Sequence, residues 1–121
     1  MSRFRNTVAV AALLVPANSL GAFSAVVGPP RFELHASPGS VARESLDISS
    51  DALDFADFVV RTADWELSPD GNVVFSEADL AVGSCRPWVR LERRDLRLAP
   101  RGRRKFRFEV HVPAEANAGE C

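Results

Sequence analysis

From Arg104 onward the chain alternates strictly: Arg104, Phe106, Phe108, Val110 and Val112 fall on one side, and Lys105, Arg107, Glu109 and His111 on the other. A period of two puts successive side chains on opposite faces of an extended backbone, so this run predicts a long strand with one buried and one wet face. Shorter alternations recur upstream, in Phe32/Leu34/Ala36, in Leu46/Ile48, and in Phe58/Val60/Thr62 running on towards Trp65. Val89/Leu91 and Leu96/Leu98 add two further short segments. Between them lie turn sequences: Ser37-Pro38-Gly39-Ser40, Ser68-Pro69-Asp70-Gly71-Asn72, and Pro100 with Gly102. The second joins Trp65–Leu67 to Val73–Phe75 and predicts a hairpin, because proline presets the first central turn position and Asp-Gly tolerates the rest. Ser76-Glu77-Ala78-Asp79 has the form of a capped helix start, but Gly83 ends any helix there almost at once. No segment holds a 3.6-residue apolar period for three turns, so the fold class expected is all-β, an antiparallel sandwich.

The 121 residues, 46% hydrophobic, suffice for one domain with a modest core, burying roughly two thirds of its unfolded surface. Arg3 and Arg5 precede the apolar run Val8 to Val15, followed by Pro16, Asn18 and small residues up to Ala22, which reads as a secretory signal peptide. The run is shorter than the roughly 20 residues a membrane span needs, so no stable span is expected after cleavage. Cleavage after Ala22 is preferred to cleavage after Ala25, which places bulky Phe23 two residues before the last one of the leader. The expected organisation is a leader at 1–22 and a sandwich domain at 23–121, located in the periplasm or secreted. Removing the leader lowers Lys plus Arg from 15 to 13 while Asp plus Glu stays at 16, giving a net charge of −3. That balance selects no partner, and export separates the domain from nucleic acid.

Two cysteines in an exported chain, Cys85 and Cys121, are expected to pair in an oxidising compartment. The competing consideration is that Cys121, the last residue of the sequence, is mobile. Charge is unevenly distributed. From Glu44 to Asp79 it is almost all acidic, and from Arg86 to Arg107 mostly arginine, with Arg103, Lys105 and Arg107 forming a row on the wet face of the long strand. That row is the candidate basic face, suited to a partner's carboxylate or to anionic headgroups. Its bland counterpart is an ordinary solvated sheet face.

Catalytic chemistry is not legible. No serine sits in a Gly-x-Ser-x-Gly turn, and Asp51, Asp54 and Asp57 lack the glycine and distal glutamate of a calcium loop. His35 and His111, each near a glutamate, fall short of the four ligands of a structural zinc site, although His35, His111 and Glu109 would form a weak metal site if their strands were neighbours. No catalytic residue, cofactor or metal is therefore assigned. Trp65 and Trp88 are expected as core or rim aromatics, Trp88 beside the Cys85 bridge.

The order Pro-Arg-Phe-Glu-Leu, Ser-Pro-Gly, Asp-Trp-Glu-Leu with Asp-Gly, Cys-Arg-Pro-Trp-Val, Leu-Ala-Pro-Arg-Gly, then Val-His-Val-Pro-Ala-Glu-Ala with Gly-Glu-Cys, resembles bacterial exported proteins related to the N-terminal domain of periplasmic pilus-assembly chaperones. The resemblance spans Arg31 to Cys121 and rests mainly on turn and core residues. It implies an immunoglobulin-like sandwich that binds an extended segment of a partner protein, such as a pilus subunit, at a sheet edge. Arg31 matches the arginine that anchors a subunit's C-terminal carboxylate in that family. The matching lysine of the last strand has no counterpart among these residues, which reach Cys121 where that strand is expected to begin, and the family's second domain is not expected within them. The alternative is a structural or adhesive exported β-sandwich without chaperone activity.

Overall fold

The longest alternating segment forms the longest paired ladder. A computed structural model describes residues 25–121, and the expected leader at 1–22 lies outside the described residues. The elements are β1 (Ala25–Gly28), β2 (Val41–Ser50), β3 (Ala56–Val59), β4 (Asp64–Leu67), β5 (Val73–Ser76), a 3-10 turn (Arg86–Trp88), β6 (Val89–Leu91), β7 (Asp95–Leu98) and β8 (Arg103–His111). Strand β8 pairs antiparallel with β2 from Val41↔His111 to Ser49↔Arg103, and with β6 from Val89↔Val110 to Leu91↔Phe108. With β1 on the far side of β2, this makes a four-stranded sheet in the order β1-β2-β8-β6. β3 pairs with β7, and β4 with β5, in two separate two-stranded sheets.

The core lies where β3–β7 faces the large sheet. The register Ala56↔Leu98 and Phe58↔Leu96 puts all four side chains on one face, and Leu96 and Leu98 pack with Ile48 of β2 and Phe106 of β8. Leu46, Phe58, Val60 and Leu91 border this cluster, each half-buried. The chain thus forms an all-β, antiparallel, sandwich-like fold, as its alternation predicts. One connection carries the crossover: after β6 closes the large sheet, residues 92–94 take the chain over to the facing sheet as β7.

Turn chemistry sets the register. In Ala99-Pro100-Arg101-Gly102 the Gly102 amide donates to the Ala99 carbonyl at 2.8 Å, closing the turn between β7 and β8. A Cβ on Gly102 would sit 2.6 Å from the Ala99 oxygen, so only glycine fits. Buried Ser50 accepts the Ala52 amide at 3.1 Å on its hydroxyl, while its own amide donates to the Gly102 carbonyl at 2.9 Å, satisfying the end of β2.

The strands depart from expectation in two places. Residues 32–36, read as the first strand, lie in an unpaired loop, and the strand preceding β2 is Ala25–Gly28 instead. Alternation there survives as one contact, Phe32 packing edge-on to Phe108 with ring centroids 5.1 Å apart. Pro29, Pro30 and Pro38 bracket the segment and remove amide donors from both of its ends. The strand expected through Phe58, Val60 and Thr62 stops at Val59, because β3 follows β7 whereas β4 leaves to pair with β5. Residues 77–79 are bends and start no helix, as Gly83 leads one to expect. The hairpin at Ser68–Asn72 is present, with Ser68 and Asn72 hydrogen-bonded through the backbone at 2.8 Å and Gly71 at φ 84°.

Candidate functional site

Strand register brings the predicted basic residues onto the outer face of the large sheet. Arg103, Lys105 and Arg107 are exposed there, and β2 sets Ser49, Asp47 and Ser45 opposite them. Glu109, the next residue on that face, lies between Arg43 of β2 and Arg90 of β6 in one cross-strand row. Arg43 pairs with Glu109 at 3.1 Å and Arg103 with Asp47 at 2.8 Å, while Lys105 and Arg107 carry no ion pair among the described residues. These are exposed pairs, each contributing at most about 1 kcal/mol. The face is positive because arginines from three strands outnumber its carboxylates.

Arg31 sits elsewhere, in the loop between β1 and β2. Its guanidinium meets Glu33 at 2.8 Å, and both side chains remain more than two-thirds exposed (80% and 71%), so a competing carboxylate has open access. His35 lies in the same loop rather than on a strand, and exposed His111 is 3.7 Å from Glu109. Among the described residues no three His, Cys, Asp or Glu side chains converge on a metal position, and no helix is long and apolar enough to cross a membrane.

Cys85 and Cys121 are joined in a disulfide with Cα atoms 5.7 Å apart, tying the segment after β8 to the start of the 3-10 turn. Beside it lies a polar cluster that sequence reading missed. Arg86, with only 14% of its side chain exposed, donates to the Ser76 carbonyl at 2.7 Å and the Glu77 carbonyl at 2.8 Å and approaches Asp64 at 3.5 Å. Asp64 also accepts from the Ser84 hydroxyl at 2.5 Å and the Ala81 amide at 3.0 Å. Hence one arginine and one carboxylate, 22 residues apart, fasten the loop 77–85 and the β4–β5 hairpin to each other. No local motif announces such a pair; only an acidic residue opening one strand and an arginine following a cysteine were available as signals.

The Ser84 hydroxyl, followed by the Ala81 amide, holds the Asp64 carboxyl below its ordinary value of 3.8. A depressed folded-state value means that this group stabilises the fold above 3.8 and ceases to do so as pH falls through the lower folded value. Thermal unfolding followed from neutral pH down to about pH 2 should therefore show wild-type stability falling more steeply at the acid end than that of Asp64→Asn, which has no carboxylate to titrate. At neutral pH, Arg86→Ala should cost about 1–2 kcal/mol, because the Ser76 and Glu77 carbonyls it leaves belong to exposed residues and turn to water, with faster amide exchange at Ala81. The Asp70 carboxyl is lowered similarly, first by the Ser68 hydroxyl, then by its own backbone amide and the Asn72 side chain, which stiffens the hairpin turn.

Trp88 is half-buried, in keeping with a rim aromatic, but Trp65 departs from its expected place: it is 64% exposed. The reason is the isolation of its hairpin. β4 and β5 pair with each other and with no other strand among the described residues, so the apolar face of the ribbon is not laid on the core.

No protein-family model matches this chain, and neither a curated protein nor a solved structure matches it.

Proposed function

We propose that this chain is a non-enzymatic, exported, immunoglobulin-like module of the periplasm or cell exterior, acting as a chaperone-like binder of an extended segment of a partner protein of the pilus-subunit type. The observation that carries this reading is the inequality of the two layers: a four-stranded sheet is faced, among the described residues, by a sheet of only two strands. The spatial order β1-β2-β8-β6 supports this reading, being that of a four-stranded A-B-E-D sheet, although β7 enters the facing sheet between β6 and β8, where an immunoglobulin sandwich has no intervening strand. Away from the core cluster, Ala42, Phe108, Val110 and Val89 are only half-buried. An added strand that widens β3–β7 would gain main-chain hydrogen bonds and supply alternate side chains to this under-covered inner face. Arg31 is the proposed anchor for the partner's terminal carboxylate, since a guanidinium fork matches a carboxylate and its present partner, Glu33, is itself exposed.

Native isolation from an envelope fraction should yield a stoichiometric complex. In that complex, amide exchange slows along the two-stranded sheet, and Arg31→Ala and amidation of the partner's C-terminus each weaken binding roughly tenfold without adding. A lone monomer would return the chain to a purely structural or adhesive role, and unchanged capture by Arg31→Ala would remove that residue as the anchor.

A further inference from the structure

The β4–β5 ribbon has two unlike faces. Its register, Trp65↔Phe75 and Leu67↔Val73, sets these four side chains side by side on one face, and Asp64, Glu66, Val74 and Ser76 on the other. All four apolar residues are more than half exposed: Trp65 64%, Leu67 64%, Val73 52% and Phe75 70%. Scattered exposed apolar residues are ordinary, but a contiguous aromatic and aliphatic face marks an interaction surface. An isolated two-stranded ribbon is also marginal in water, so the cross-strand pairs on this face add only modestly to its stability and leave most of its apolar surface in water. What holds the ribbon in place is polar and lies off that face: the Asp64–Arg86 cluster and the Arg61–Glu77 ion pair at 3.2 Å.

Charge around the ribbon selects the occupant. Between Arg61 and Arg86 the sequence contains no Lys or Arg but has Asp64, Glu66, Asp70, Glu77 and Asp79. Arg86 and Arg61 engage Asp64 and Glu77, which leaves Glu66, Asp70 and Asp79 without an ion pair among the described residues. We propose that the Trp65/Leu67/Val73/Phe75 face docks an amphipathic polypeptide segment whose apolar residues cover the four side chains and whose lysines or arginines are drawn by the acidic charge of this stretch, with Asp70 in the turn and Glu66 on the reverse face of the ribbon. The surface is separate from the two-stranded sheet invoked for strand addition, so either reading can fail alone. Electrostatic complementarity would govern which segment is accepted and how fast, while aromatic burial would supply the affinity.

Trp65 is its own reporter. In a Trp88→Phe background, a short peptide of alternating Lys and Leu should blue-shift the Trp65 emission, with affinity falling as salt rises, whereas the matching Glu–Leu peptide should leave it unchanged. Should Trp88→Phe fold poorly, the wild-type minus Trp65→Phe difference spectrum carries the same signal. Phe75→Ser is expected to weaken binding about tenfold or more, and Glu66→Gln combined with Asp79→Asn to weaken it severalfold, whereas Lys105→Ala on the opposite charge pole has no effect. Absence of a shift, equal shifts with both peptides, or a shift driven by protein concentration alone, which would mean that a second copy covers the face, overturns the proposal.

Discussion

Phe106→Ala should destabilise the domain by about 4 kcal/mol, a large share of what a domain of this size possesses. Phe106 is 1% exposed and the largest fully buried side chain among the described residues. It stands near the centre of β8, opposite Leu46, and contributes to the buried cluster that joins the two layers, with Ile48, Leu96 and Leu98. Truncation removes the ring and leaves a cavity that backbone ladders on both sides prevent from collapsing. Chemical denaturation should show the midpoint falling with little change in slope; a loss below about 1 kcal/mol would mean that the layers are held together by something other than this cluster. Phe106→Leu, which keeps most of the apolar volume, should recover a large part of the loss.

Reduction of the Cys85–Cys121 bond should cost a similar amount, about 4 kcal/mol. The bridge spans 36 residues and withdraws the corresponding loop-closure entropy from the unfolded chain. The effect should be largest at the end of the molecule where Arg86 and Asp64 meet, because Cys85 directly precedes Arg86 and the segment after His111 is tethered there through Cys121. A double Cys85→Ser, Cys121→Ser variant compared with oxidised protein, using amide exchange over residues 77–88 and 112–120, tests this. Equal stability of the oxidised and reduced forms would rule out a stabilising bridge.

The two predictions differ in how visible their causes were. Phe106 is legible because period-two alternation states directly which side of β8 is wet. Alternation at Phe32–Ala36 looked equally good and produced no strand, because a strand requires a neighbour to share its hydrogen bonds and this segment takes none, while β1 pairs only with Asp47–Ser50 of β2. Pairing is a property of two segments, and a single segment cannot declare it. Trp65 illustrates the same limit on burial: an indole in an apolar strand looks like core, yet its exposure follows from where the hairpin sits, which β4 and β5 do not encode locally. Of the site residues, the row Arg103, Lys105 and Arg107 could be read from spacing, while the cross-strand company of Arg43 and Arg90 required the register.

The sequence by itself determined the strand-forming class, the Ser68–Asn72 hairpin, the wet and dry sides of β8 and the pairing partners available to two cysteines, because these depend on side-chain period, turn stereochemistry and composition within a few residues. Tertiary structure alone decided that β6 and β7 belong to different sheets, that Asp64 and Arg86 close a loop across 22 residues, and that an apolar ribbon face stays uncovered. Those outcomes depend on which distant segments win the competition for the same hydrogen-bonding edges and the same buried area, and that competition is settled only when the whole chain packs.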